Sequence, residues 1–310
     1  MILTITPNPC VDKTIYVDSL EPGTFIRAAK YSCIPGGKGV NVARAIKILG
    51  GEATAVVVVG GHTGRHVLEM IKAERIRCRP VWVESPTRTV TTAREERILR
   101  QTALFEPGSE IAGQEYRGIV ERCSQLIRGV KVVCFSGTVS HSNARNLYND
   151  LLRRAKRSGA KTILDSHGVE FALGIEKAPF MIKPNEEEAA ELLGARIETD
   201  AERWDAIDRF HEKGIELVVL SAGSRGAFVS DRVTRLIVRP PQITEVNAVG
   251  SGDALVAAFA LGLEQGWPLE KMACYGAAAG AANARVWDIG RFSLEDVEEL
   301  ARAVEVRSVP

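Results

Sequence analysis

Ala248-Val249-Gly250-Ser251-Gly252-Asp253-Ala254-Leu255-Val256-Ala257-Ala258-Phe259 is the strongest local signal in the chain. Two glycines one residue apart open a long apolar helix, and a carboxylate sits on its first turn. Free N–H groups at a helix N-terminus, with no Cβ atoms in the way, form a cradle for an anion. An aspartate placed there lies beside whatever anion binds. Taking a proton from a hydroxyl next to a phosphoryl group needs that juxtaposition of base and oxyanion donors. The structural alternative is that Asp253 only caps the helix and the glycines only permit a tight turn. A dinucleotide fingerprint is disfavoured, because its third glycine position is Leu255.

Working outward, short β-branched runs at 2–6, 55–60, 131–136, 161–165, 180–183 and 217–221 alternate with helical patterns near 39–49, 64–74, 113–128, 142–158, 186–194 and 201–213. Continuous apolar strands separated by amphipathic helices imply an α/β fold whose parallel sheet is covered on both faces. Long helices are expected over roughly 252–265 and 269–286, and Ser293 is a plausible N-cap for a last one. Two segments, 11–34 and 81–105, carry β-type residues with many charges and no helical period. Unstructured loops of that length are uncommon, so a small β-rich lid is favoured over long loops. No repeat or low-complexity linker divides the 310 residues, and one domain over 1–310 is expected.

Composition removes several classes. Hydrophobic residues at 45% and charged ones at 25% exclude disorder and coiled coil. Lys plus Arg number 40 against 39 for Asp plus Glu. Such a chain has no general attraction to nucleic acid or an anionic membrane, so neither is expected as a partner and any anion must be met by a local site. No run approaches the ~18 apolar residues of a spanning helix. The N-terminal run lacks a basic region and meets Pro7 and Pro9 too early for a signal peptide. Six cysteines without a C-x-x-C pair read as reduced thiols, and the expected compartment is cytoplasmic.

The glycines gather at 36–39, 60–64, 223–226 and 250–252, where apolar runs meet helical ones. In Pro35-Gly36-Gly37-Lys38-Gly39-Val40-Asn41, consecutive glycines let a ligand pack on bare backbone, and Lys38 and Asn41 add a cation and an amide suited to sugar oxygens; a flexible strand–helix turn is the alternative. It is not a Walker A loop. Ile182-Lys183-Pro184-Asn185-Glu186-Glu187-Glu188 puts an amide and carboxylates on a first helical turn, which capping and the helix dipole already explain in large part. Ser221-Ala222-Gly223-Ser224-Arg225-Gly226 is a turn between strands that could touch phosphates or merely close a hairpin. Asn8 and Asp12 follow the first strand, where open α/β sheets bind ligands. The five histidines (His62, His66, His141, His167, His211) show no triad order or metal spacing and read as surface or supporting residues.

Together these segments resemble the PfkB, ribokinase-like family of carbohydrate kinases over essentially the whole chain. Gly36-Gly37-Lys38-Gly39-x-Asn41 and Ala248-x-Gly250-x-Gly252-Asp253 look like its two signatures in order, spacing and context. Thr6-x-Asn8-Pro9-x-x-Asp12 and the Lys within the glycine cluster resemble the branch of 1-phosphofructokinases and tagatose-6-phosphate kinases, with a 6-phosphofructokinase branch close behind. Ile182-Lys183-Pro184-Asn185 fits all three. The resemblance implies a three-layer fold with a mostly parallel central sheet, helices on both faces and a small β-sheet lid. It implies ATP and Mg²⁺ as cofactors and a sugar phosphate as the small-molecule substrate.

By that resemblance Asp253 is the base, and Gly250, Ser251 and Gly252 are the anion hole. Asp12, Gly36, Gly37, Lys38 and Asn41 hold the sugar, with Ser136 and Gly137 on a loop that approaches it. Arg88 pairs with the substrate's own phosphate, and Arg27 matches a second basic position. A guanidinium suits phosphate because its fork is bidentate and permanently charged. Asn185 and Glu188 match an element tied to magnesium. Lys183, Asn185, Ser221, Gly223 and Gly226 fall on the nucleotide side, and Asn283 falls where the adenine pocket is expected. A homodimer joined through the lids is also implied. Three features depart from the family pattern: the loop Ser136-Gly137-Thr138-Val139-Ser140-His141, Ala248 in place of a frequent Thr, and His167. The rival readings are a 6-phosphofructokinase or another sugar or nucleoside kinase of the superfamily, and a catalytically silent sugar-binding regulator.

Overall fold

Ile2–Thr6 form strand β1, all five residues buried, at the centre of the protein. The computed structural model describes residues 1–98, 100–139 and 142–309; His141 and the end of the loop that departs from the family pattern lie outside them. After β1 come β2 (Cys10–Val17), β3 (Lys30–Gly36), α1 (Lys38–Ile48), β4 (Ala53–Gly60), α2 (Gly61–Ala73), β5 (Arg77–Val83), β6 (Arg88–Glu95) and β7 (Arg100–Phe105). The middle of the chain runs through α3 (Gly113–Ile127), β8 (Val132–Ser136), α4 (Leu147–Arg157), β9 (Lys161–Asp165), α5 (Gly168–Ile175), β10 (Met181–Ile182), α6 (Glu186–Leu193) and α7 (Asp200–Glu212). It ends with β11 (Leu217–Ser221), β12 (Ala227–Ser230), β13 (Arg235–Arg239), α8 (Ser251–Gln265), α9 (Leu269–Ala284), α10 (Leu294–Ala301) and β14 (Glu305–Val309).

Ten strands make the main sheet, in the order β14-β13-β12-β11-β10-β9-β8-β1-β4-β5. From β11 to β5 every pairing is parallel, while β12, β13 and β14 add an antiparallel edge. Alternation in β4 shows why its valines are continuous: Val56 and Val58 face one core, Ala55, Val57 and Val59 another. The first core packs under α3 to α7 and the others under α1, α2, α8 and α9, which gives three layers. Helix α8 is apolar on every side because it is covered on every side, with Ala254 to Gly262 all buried. Burial of Val256, Phe259 and Leu261 contributes about 1.5–3 kcal/mol each and fixes the position of its first turn.

The segments that break the alternation form a second sheet in the order β3-β2-β6-β7. Its β2–β6 pairing is parallel and its outer pairings are antiparallel. The expected strands and helices are present with shifts of a few residues at their ends. The 142–158 helix divides into a single turn at Ser142–Ala144 and α4. Four elements have no counterpart in the pattern reading: α5, β5, β13 and β14. The outermost strand β14 is exposed along much of its length and carries Glu305 and Arg307, so no apolar run marks it. Of the histidines, His211 is buried, with its ring nitrogens bonded to the Ile215 carbonyl and Ser230 Oγ. No helix among the described residues is long and apolar enough to cross a membrane.

Candidate active site

The parallel strands end on one side, and their last residues supply the site: Thr6 from β1, Ser136 from β8, Asp165 from β9 and Ser221 from β11, with Lys183 just beyond β10. Helix α8 brings its N-terminus to the same place. Gly250 adopts φ +84°, a left-handed conformation, and a Cβ there would collide with Ile289 Cγ2. The Ser251 amide donates to the Ala248 carbonyl at 3.1 Å, so the anion-binding capacity of this turn falls on the amides that follow it. The glycines at the start of α1 are there for packing: at Gly37, φ +113°, a Cβ would sit 2.7 Å from Thr6 Cγ2, and at Gly39 it would strike Thr6 Oγ1. Close approach of this turn to β1 is what brings Lys38 and Asn41 into the site.

Asp253 is 5% exposed on the first turn of α8. Its Oδ2 accepts a 2.8 Å hydrogen bond from Asn41 Nδ2. Burial, helped by the negative charge of Asp165, pushes its pKa up to about 6 against the opposing pull of Lys38, Asn41 and Lys183. Asn41 is itself fixed: its Oδ1 accepts from Arg44 Nη1 at 2.9 Å. Arg44, buried, also donates to Glu74 and to the Pro35 carbonyl, both at 2.7 Å. The amide of Asn41 can therefore present only its N–H₂ to Asp253.

Asp165 is fully buried between two ammonium groups, Lys38 Nζ and Lys183 Nζ, each 3.3 Å from its Oδ1. Burial alone would raise its pKa, but Lys183 and Lys38 reverse the effect and hold it below the usual carboxylate value. Lys183 Nζ lies 3.3 Å from where a Cβ of Gly252 would stand, so this cation sits against the α8 turn. Behind it the Gly137 carbonyl accepts from Tyr148 Oη and Ser166 Oγ, and the Gly137 amide donates to the Asp165 carbonyl. Ser136 Oγ and Thr6 Oγ1 are buried and lack partners.

On the small-sheet side, burial raises the pKa of Asp12, and Asp288 adds to the rise while Arg44 and Arg88 oppose it. Arg88 begins β6, and its position follows from the 60–64 glycines: Gly60 and Thr87 exchange hydrogen bonds of 2.9 and 3.0 Å. The Arg88 Nε is buried without a partner, and Nη2 reaches only the Asn8 carbonyl at 3.5 Å. Arg27 stands exposed on the loop between β2 and β3.

Asn185 and Glu188 form a reciprocal cap on α6: Glu188 N donates to Asn185 Oδ1 at 2.7 Å, and Asn185 N donates to Glu188 Oε2 at 2.9 Å. The negative charge of Glu188 also helps raise the pKa of Lys38. One carboxylate in such a place suits Mg²⁺, which keeps several waters and completes its shell with phosphate oxygens. Among the described residues no group of three His, Cys, Asp or Glu side chains could hold a metal unaided. Ser221 pairs with Asn185 in an isolated bridge, and the turn through Gly223 and Gly226 closes the β11–β12 hairpin. Asn283 is buried behind the α8 turn. Its Nδ2 donates to the Val249 carbonyl and Ser251 Oγ, and its Oδ1 accepts from Gly290 N, so the amide is spent on holding that turn.

The pattern reading missed two residues at the heart of this cluster. Asp165 ends a strand on the ligand-binding side, which was a usable signal. Arg44 lies three residues after Asn41 on the same helix, and only the fold reveals what it holds.

The sequence profile described as pfkB family carbohydrate kinase matches residues 6–287. A 1-phosphofructokinase of Xanthomonas campestris is 31% identical over 315 residues, covering 99% of this chain and 98% of its own. An ATP-dependent 6-phosphofructokinase isozyme 2 of Mycobacterium tuberculosis is 32% identical, covering 96% and 88%. Among solved structures, the tetrameric inhibited form of phosphofructokinase-2 from Escherichia coli superposes with a TM-score of 0.91 at 27% identity, over 97% of this chain and 98% of that one. The same enzyme in complex with fructose-6-phosphate gives 0.90 over the same shares. A match that starts on the last residue of β1 and ends beyond α9 spans every element that builds the cluster, and the chain belongs to the pfkB family of carbohydrate kinases, phosphotransferases that act on a hydroxyl acceptor.

Proposed function

We propose that the protein is an ATP-dependent, Mg²⁺-requiring kinase of a ketohexose monophosphate, fructose 1-phosphate or tagatose 6-phosphate. The observation that carries the phosphorylated substrate is Arg88. Its guanidinium keeps a buried Nε donor without an acceptor, an arrangement that costs free energy unless a ligand supplies one. A phosphate oxygen is the natural complement of that fork. The named relatives support the choice, since both are phosphofructokinases and the solved neighbour holds fructose-6-phosphate.

In this reading the acceptor hydroxyl lies against Asp253 Oδ1, with Oδ2 held by Asn41. As the hydroxyl oxygen bonds to the γ-phosphorus of ATP, the bond to the β–γ bridging oxygen breaks and ADP leaves. The hydroxyl proton passes to Asp253, whose pKa of about 6 keeps it ionised at neutral pH and still basic enough to accept. The α8 amides at Gly252 and Asp253, with Lys183 beside them, face the charge on the transferred group. Lys38 bridges that region to the sugar. Glu188 would hold the metal, which supplies neutralisation of triphosphate charge when bound. The second sheet acts as a lid that excludes water.

The exposed apolar surface of that sheet supports a homodimer through the lids. Phe25, Ile26, Tyr31, Leu104 and Phe105 are all solvent-facing, and β7 is exposed along its length. Leu104→Glu should convert a dimer to monomer in light scattering, and an unchanged mass would remove the lid from the interface. The activity itself is tested by coupled ADP release over fructose 1-phosphate, fructose 6-phosphate, tagatose 6-phosphate and free sugars. Turnover greatest with a free sugar would sink the sugar-phosphate reading, and preference for fructose 6-phosphate would move the protein to the 6-phosphofructokinase branch.

A further inference from the structure

The loop 285–291 after α9 touches the second sheet, helix α1 and the α8 turn at once. Its Trp287 reaches the second sheet: Nε1 donates to Thr14 Oγ1 on β2 at 3.4 Å. The Arg94 guanidinium of β6 stacks 3.9 Å from the indole centroid, and the Tyr16 ring stands 6.5 Å away. The backbone of the same residue faces the other way. The Trp287 carbonyl accepts from Asn247 Nδ2 at 2.8 Å, and Asn247 Oδ1 accepts from Val249 N at 3.1 Å. Two residues on, Ile289 fills the space where a Gly250 Cβ would be. Gly290 donates to Asn283 Oδ1, whose amide in turn holds Val249 and Ser251. Gly290 also packs on the side chain of Arg44, the residue that orients Asn41 against Asp253.

The geometry points to Trp287 as a positioning residue that ties the seating of the second sheet to the shape of the turn Val249–Asp253. It has no polar contact with that turn through its own side chain. It acts through Asn247, Ile289 and Gly290, which close on the turn from three directions. When the sheet sits on the indole, the loop is pinned and Ile289 stays packed against Gly250. When the sheet lifts, Arg94 and Thr14 leave, and the loop and the turn lose a shared anchor. Binding a substrate under the sheet therefore prepares the phosphate-binding amides, and a nucleotide on those amides favours a seated sheet, since such coupling is reciprocal. This rests on the proposed reading of the α8 turn as the phosphate site.

Two variants of different origin test it. Trp287→Leu removes the stack and the donor, whereas Thr14→Val removes only the acceptor, from the side of the second sheet. Hydrogen exchange of the substrate-free protein should show faster exchange at amides 249–253 in both, with the core strand β1 unchanged. In turnover, kcat of Trp287→Leu should fall about tenfold to thirtyfold, with KM for ATP little altered, because the loss is one of preorganisation. Trp287→Phe, which keeps a ring beneath Arg94, should recover most of that loss. Sugar phosphate alone should change the indole fluorescence that Trp287→Phe lacks. Unchanged exchange at 249–253 in Trp287→Leu and Thr14→Val would overturn the coupling, as would a uniform rise in exchange across the whole chain. If the unmodified protein phosphorylates no hexose phosphate, the functional reading fails, and the exchange experiment still decides whether the sheet and the turn are tied.

Discussion

Asp253→Asn should make the protein more stable as it destroys its activity, and the gain should depend on pH in a calculable way. The Asp253 carboxyl has a pKa near 6 in the folded chain against an ordinary 3.8. Its proton is therefore held more tightly folded than unfolded, and the penalty for charging it develops between those values and is complete above pH 6. Two units at 1.36 kcal/mol each amount to about 3 kcal/mol. Unfolding entropy near 2.1 cal/mol/K per residue gives roughly 0.65 kcal/mol/K for 310 residues, so the penalty corresponds to about 5 °C. Asparagine keeps an acceptor for Asn41 Nδ2, the bond now measured at 2.8 Å, and carries no charge to desolvate. Scanning calorimetry at pH 8 should place the variant's midpoint about 5 °C above the parent. The gap should shrink through pH 6 to 4 and vanish below. A coupled assay at pH 8 should find turnover lowered by at least about a thousandfold. A gap that is absent at pH 8, or equally large at pH 4, would refute the account of Asp253 as a carboxylate held charged against burial.

Three further outcomes follow from the same geometry. Arg88→Ala should raise KM for the sugar phosphate about tenfold to a hundredfold, the value of a charge-assisted phosphate contact. It should lower the melting temperature little, because Nε has no partner and Nη2 has only a 3.5 Å contact with the Asn8 carbonyl. Asp165→Asn leaves the buried ammonium of Lys183 and the half-buried one of Lys38 without their carboxylate and should cost about 3–5 kcal/mol in denaturant titrations at pH 7. Since the Asp165 pKa is held below its ordinary 3.8, that loss should persist down to about pH 4, opposite in sense to Asp253→Asn. Gly250→Ala combines a φ of +84° with a Cβ that strikes Ile289, and should cost about 1–3 kcal/mol while lowering kcat with little change in KM for the sugar.

What the chain declares locally was readable, and what it assembles at long range was not. Gly250, Gly252 and Asp253 are neighbours at one helix start, so their spacing alone put a tight glycine turn and a carboxylate in one place, the basis of the anion cradle proposed above. The second sheet was readable because 11–34 and 81–105 lacked the helical period around them. Asp165 was different: its meaning comes from Lys38 and Lys183, which reach it from another helix start and another strand end. Arg44 looks like one more charge on an amphipathic helix until Glu74, Pro35 and Asn41 close around it. Asn283 was assigned to the ligand by position, yet its polar atoms are consumed in bracing the α8 turn. Small-residue helices advertise close packing, but not whether a backbone or a ligand does the packing.

The two buried aspartates show why the site's chemistry had to come from three dimensions. Both lie deep in the protein, and both would have a high pKa from burial alone. Asp165 has two ammonium groups at 3.3 Å, and its proton is driven off. Asp253 has a neutral amide at 2.8 Å, and Lys38 and Lys183 lower its pKa by less than burial and Asp165 raise it. Asp165 is thus too weak a base to take a proton from an alcohol, while Asp253 is poised near the pH at which it would have to. Of these two carboxylates, Asp253 is the one whose environment favours receiving a proton.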